Sequence, residues 1–118
     1  MKLSIQTEED GLVRLHNDGE IRLGDQLRER SSVEDLLGPD CYKQRILLDL
    51  ENTSYIDSAG VGWLVKFHKL CQQSGGVLVL HSLPPAILAI LRLLHMERFL
   101  RIVDDEGSAL ALARGDAR

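Results

Sequence analysis

Asp57 and Ser58 stand side by side in Tyr55-Ile56-Asp57-Ser58-Ala59-Gly60-Val61-Gly62-Trp63-Leu64, where an apolar run gives way to a helical pattern. An aspartate is a favourable N-cap, because its carboxylate accepts one of the backbone N–H groups that the first helical turn leaves unpaired. A serine one position later rides on the first turn, at the positive end of the helix dipole, where a phosphate or carboxylate is accommodated. The glycines Gly60 and Gly62 each cost a helix roughly 1 kcal/mol relative to alanine. They leave this end of the helix thin enough for another protein's backbone to approach.

The other chemistry-bearing side chains are dispersed. None of His16, His68, His81 and His95 lies in a recognised metal-binding motif. Cys41 and Cys71 are far apart, without a CxxC spacing, and read as free thiols of a reducing compartment. The sequence contains no GxGxxG, no Walker-type glycine run and no GxSxG elbow. No catalytic residue, metal or cofactor is therefore assigned, and the chain reads as a non-enzyme.

The elements that position Asp57 and Ser58 follow from the apolar pattern. Leu3, Ile5 and Thr7, then Val13 and Leu15, alternate with polar residues around Glu9-Asp10-Gly11, predicting a hairpin. Asn17-Asp18-Gly19 predicts a second turn before a short extended piece, Glu20 to Leu23. Ser31 to Leu37 suggests a short helix closed by Gly38-Pro39. Arg45 to Leu50 reads as a central strand buried on both faces. After the connector Asn52 to Asp57 comes a helix from Ser58 to the Gly75 cap, then a strand, Val77 to His81. Pro84 and Pro85 open a helix through about His95, Leu100 to Val103 forms a last strand, and Asp104 or Asp105 caps a helix from Glu106 to Ala113. The expectation is an α/β fold with a mixed sheet, antiparallel at its N-terminal hairpin and parallel in the remainder, flanked by helices. Residues 1–113 form one domain and 114–118 a short tail.

At about 100° per residue, the helix after Ser58 turns Gly60, Val61, Trp63, Leu64, Phe67, His68, Leu70 and Cys71 toward the core. Gly62, Val65, Lys66, Lys69, Gln72 and Gln73 occupy the other arc, so Val65 is an apolar residue on a polar face and a candidate partner contact. The helix from Ala86 to Leu94 is apolar nearly all round. Such a helix is covered either by neighbouring helices or by a second copy, through Leu88 and Leu93, in a homodimer.

The 118 residues carry 14 Lys+Arg against 18 Asp+Glu, a net charge of −4, with a hydrophobic fraction of 44%. That composition suits one globular domain with a real core. Without a basic stripe, nucleic acid is not an expected direct partner. No apolar run approaches the ~18 residues of a membrane span, and no signal peptide opens the chain, so a cytoplasmic, membrane-free protein is expected.

The segment ILLDLENTSYIDSAGVGWLVKFHKLCQQSGGVLVL, Ile46 to Leu80, resembles the STAS domain family of bacterial anti-sigma factor antagonists: an apolar strand, Asp-Ser-Ser/Ala-Gly, then a Gly-rich helix. Asp18-Gly19-Glu20-Ile21 is similar to the family's Gly-Glu-Leu stretch, Leu83 to Ile87 to the opening of its third helix, and Ile102 to Ala113 to its closing strand and helix. The resemblance implies a switch. The serine matching Ser58 is phosphorylated by an anti-sigma factor that is also a serine kinase, phosphorylation releases that partner, and a metal-dependent serine phosphatase restores the hydroxyl. The unmodified form binds the anti-sigma factor and frees the sigma factor for transcription. Asp57, Ser58, Ala59, Gly60, Gly62 and Val65 would then form the contact surface. Arg22-Leu23-Gly24 follows Ile21 where the family places an acidic residue, a departure that bears on which partner is chosen. Two alternatives stand beside this reading: a STAS scaffold subunit acting by oligomerisation in a larger signalling assembly, and a small-ligand binder or enzyme using Asp57.

Overall fold

The computed structural model describes residues 2–22 and 32–115. Five strands form one sheet in the order β1-β2-β3-β4-β5: β1 (Lys2–Glu9), β2 (Leu12–Ile21), β3 (Arg45–Ile56), β4 (Val77–His81) and β5 (Arg101–Val103). β1 pairs antiparallel with β2, and every later pairing is parallel. Among the described residues, four α-helices accompany them: α1 (Ser32–Leu37), α2 (Ser58–Ser74), α3 (Pro85–Leu93) and α4 (Glu106–Ala113). The mixed, helix-flanked sheet matches the expected architecture.

Alternation along the central strands divides the core. Ile46, Leu48 and Leu50 of β3 with Leu78 and Leu80 of β4 face a large cluster built with Val61, Leu64 and Phe67 of α2 and Ile87 and Leu91 of α3. Leu47 and Val79 point the other way, onto Ala109 and Ala113 of α4. The small alanines let α4 lie close to the sheet. Strands covered on both faces carry near-continuous apolar runs, which is why Arg45 to Leu50 was legible.

Three expectations are corrected. Asn17-Asp18-Gly19 is not a turn: β2 continues through it to Ile21, with irregularities in its pairing to β3 on either side. Gly19 absorbs the irregularity at φ +92°, and buried Asn17 donates from Nδ2 to Thr53 Oγ1 at 2.8 Å. Nor are residues 52–56 a connector, since β3 runs on to Ile56 with Thr53 and Ile56 buried. α3 ends at Leu93, not His95, because His95 takes a left-handed φ of +60° and opens a short 3-10 turn over Met96–Arg98.

The short helix before Gly38 is present as α1, with Gly38 at φ +88°. Leu23, the last residue of the expected extended piece, and residues 24–31 lie outside the described residues. α3 buries only Ile87 and Leu91, and Leu93 is 78% exposed, so neighbouring helices do not cover it all round.

Candidate functional site

β3 delivers the chain to the start of α2 at one end of the sheet. The Asp57 backbone N–H donates to Ile21 O at 3.2 Å, tying the end of β2 to this junction. Asp57 is extended (φ −99°, ψ 177°), and its Oδ1 accepts the Gly60 N–H at 2.7 Å while its carbonyl accepts the Val61 N–H at 3.0 Å. The carboxylate therefore acts as the N-cap of a 17-residue helix. Ser58, the first helical residue, is exposed. Ala59 is half-buried and Gly62 exposed, with nothing within 4 Å of where a Cβ would stand.

Gly60 behaves differently from the sequence-based expectation. It is buried, and a Cβ added there would lie 2.5 Å from Ile21 O and 2.9 Å from the side chains of Ile21 and Ile56. The close approach that selects glycine is made by this chain's own strands, so Gly60 belongs to helix-sheet packing and not to an exposed contact surface. Val65 is half-buried and packs against the main core cluster, leaving only part of its side chain outward. Six of the predicted residues thus converge on one helix start and its first two turns, four of them presenting surface: Ser58, Ala59, Gly62 and Val65.

Sequence reasoning missed the residues beside this junction. Glu20 of β2 is in register with Tyr55 of β3. Tyr55 is 44% exposed, and the Arg22 guanidinium lies 5.3 Å from its ring centroid while pairing with Glu20. A cation over an aromatic face is held electrostatically by the ring quadrupole. The available signal was the exposed parity of Tyr55, one strand position before buried Ile56.

A family model of the STAS domain matches residues 5–109. The chain belongs to the STAS domain family. It is 27% identical over 113 residues to the anti-sigma F factor antagonist of Paenibacillus polymyxa, covering 93% of this chain and 94% of that protein. A Thermotoga maritima crystal structure described as an anti-sigma factor antagonist superposes with a TM-score of 0.83 at 25% identity, over 95% of this chain and 94% of that one. The Bacillus cell fate determinant SpoIIAA, solved in its phosphorylated form, shares the fold with a TM-score of 0.66 at 14% identity, over 94% and 99% of the two chains. This is an anti-sigma factor antagonist-like STAS domain.

The histidines of this STAS domain occupy unrelated environments. His16 sits between two carboxylates on strands that the sequence separates: Nδ1 is 3.1 Å from Asp49 Oδ2 and Nε2 is 3.3 Å from Asp18 Oδ1, with Asn52 Nδ2 donating to Asp18 Oδ1 at 3.0 Å. Partial burial acts to lower its pKa, but hydrogen bonds and negative charge from Asp49 and Asp18 outweigh it, and the net shift is upward. His68 is 6% exposed, and burial, followed by the charge of Arg101, lowers its pKa. His81 is buried at the end of β4, with Nδ1 2.8 Å from Ser82 Oγ. Among the described residues, no group of three or more His, Cys, Asp or Glu is arranged to hold a metal ion. Cys41 and Cys71 are buried free thiols, and no described helix is long and apolar enough to cross a membrane.

Proposed function

We propose that this STAS domain is a phosphorylation-switched interaction module that binds an anti-sigma factor serine kinase when Ser58 carries its hydroxyl and releases it when Ser58 is phosphorylated. The observation that carries this reading is the exposure of Ser58 on the first turn of α2, beside a carboxylate already committed to capping. With Asp57 holding the Gly60 N–H, the aspartate positions the serine and leaves phosphoryl transfer to the partner's own machinery. The protein is a substrate and a ligand, not a catalyst.

The physical logic follows from charge. A phosphate adds about −1.5 to −2 units and three acceptor oxygens, which a helix N-terminus tolerates in the isolated domain. Against a partner surface the same charge would be desolvated without a counter-ion, which is costly. Ser58, Ala59, Gly62 and Val65 form the contact surface, Asp57 and Gly60 support it from beneath, and the Tyr55–Arg22–Glu20 platform flanks it. A metal-dependent serine phosphatase resets the switch in the cytoplasm. The phosphorylated state of a fold neighbour and the antagonist relatives support this reading.

The test is intact mass after incubation with ATP and each serine-kinase-type anti-sigma factor of the same cell, with Ser58→Ala as control. A gain of one phosphate, absent in the variant, is expected. No phosphate with any of them overturns the switch. A second reading, a scaffold subunit acting through oligomerisation, is favoured by Leu93, 78% exposed on α3. It requires a self-assembled species in gel filtration that persists in Ser58→Asp.

A further inference from the structure

The outward stripe of α2 does not stop at Val65. At about 100° per residue, Ser58, Gly62, Val65 and Lys69 fall within a band about 60° wide, and Lys69 lies about 16 Å along the axis from Ser58. At that far end the helix forms one wall of a groove of about 390 Å3, whose other wall is the 3-10 turn Met96–Arg98 with Phe99.

The groove has a defined chemistry. Val65, Met96 and Phe99 supply its apolar lining, Lys69 and Arg98 its cations, and buried His68 part of its floor. Among the described residues, no carboxylate lines it and His68 Nδ1 has no hydrogen-bond partner. A chain of net charge −4 thus gathers two cations around an apolar depression. Phe99 is 59% exposed, an aromatic side chain at the lip of the groove where a single domain gains nothing by leaving it in water. Exposed aromatics and arginines clustered in this way are the residue types that dominate protein interfaces.

We propose that this groove is the distal half of the partner's footprint: it receives a segment of the anti-sigma factor that carries a large apolar side chain next to a carboxylate. The apolar group seats between Val65 and Phe99, and the carboxylate faces Lys69 and Arg98. The groove then fixes affinity at a distance from the acceptor hydroxyl, while Ser58 decides whether the complex is allowed. This inference rests on the reading that an anti-sigma factor docks on the Ser58 end of α2.

The test uses the full chain with each serine-kinase-type anti-sigma factor. Affinity and phosphorylation kinetics are compared for wild type, Ser58→Asp, Phe99→Ala, the double variant Lys69→Glu with Arg98→Glu, and the charge-keeping double variant Lys69→Arg with Arg98→Lys. Lys69, Arg98 and Phe99 are all exposed, and unfolding midpoints matching wild type establish that the variants fold. The charge-reversed variant is expected to bind about thirtyfold more weakly, with KM raised and kcat unchanged. Phe99→Ala is expected to weaken binding in the same sense, and the charge-keeping variant to bind as wild type.

Wild-type affinity in both the charge-reversed variant and Phe99→Ala, with Ser58→Asp still abolishing binding, overturns the groove and leaves the Ser58 reading intact. If wild type neither binds any of these factors nor gains a phosphate, both fall. A dimer in sedimentation that Phe99→Ala dissociates would make the groove a contact between copies of this chain, which also overturns the proposal.

Discussion

The Asp57 carboxylate accepts the Gly60 N–H at 2.7 Å across the first turn of α2, and Gly60 in turn stands where a Cβ would collide with Ile21 O and the side chains of Ile21 and Ile56. Two neighbouring requirements, a cap and a close approach, thereby fix where Ser58 emerges. Losing the cap frees a backbone donor at the start of the 17-residue helix. Asp57→Ala is expected to cost about 1 kcal/mol in urea unfolding, and Asp57→Asn, which keeps an acceptor oxygen, only a few tenths. A large loss in Asp57→Asn would mean that its charge, not its cap, holds the junction.

The two glycines of this turn are expected to respond in opposite directions. Gly60→Ala forces a Cβ into strand backbone and should destabilise by about 1–3 kcal/mol. Gly62→Ala meets open space and should stabilise by about 0.5–1 kcal/mol, while weakening partner binding if a partner backbone passes there. Equal effects at both positions, measured by denaturant titration, would refute this division.

Ser58→Asp should leave the fold almost unchanged, within about 0.5 kcal/mol, because the added charge lies at the positive end of the α2 dipole and is exposed. Binding to the anti-sigma factor should nonetheless be lost. Thermal unfolding and calorimetry on the same sample separate the two effects, and a variant that unfolds would attribute lost binding to lost structure.

His16 makes stability depend on pH. Its pKa in the fold lies above the ordinary 6.5, so its contribution is complete below about 6.5 and disappears as pH rises through the folded value. Asp18, held low first by its hydrogen bond from Asn52, changes only in the acid range below its ordinary 3.8, outside that window. The stability gap between wild type and His16→Gln should therefore be widest near about pH 5.5 and shrink toward about pH 8.5. A gap that widens with pH would reverse the assignment.

Burial, reinforced by Cys41, pushes the Cys71 thiol up to about 12, and burial followed by the charge of Glu34 raises Cys41 as well. Thiolate is the reactive form, so both cysteines should resist a thiol reagent such as DTNB in native buffer and react promptly in denaturant. Fast labelling of the folded chain would show that the core opens around α2.

What the sequence determined by itself was local. β4, α4 and the Gly75 cap lie where the pattern put them, because a short apolar run, a capping aspartate and a left-handed glycine each act within a few residues. The Asp57-Ser58 junction was legible for the same reason. Tertiary structure decided what depends on residues far apart in the chain. The turn chemistry of Asn17-Asp18-Gly19 yielded to pairing with β3, where Asp18 meets Asn52 and Gly19 meets Thr53. Gly60 passed from candidate surface to core when β2 and β3 closed beneath it, and His16 acquired Asp49 from 33 residues away. The groove beyond Val65 exists only because the turn at Met96 returns to α2. Periodicity shows which face of an element is apolar, but which element arrives to cover that face, and where it stops short, is set by chain topology.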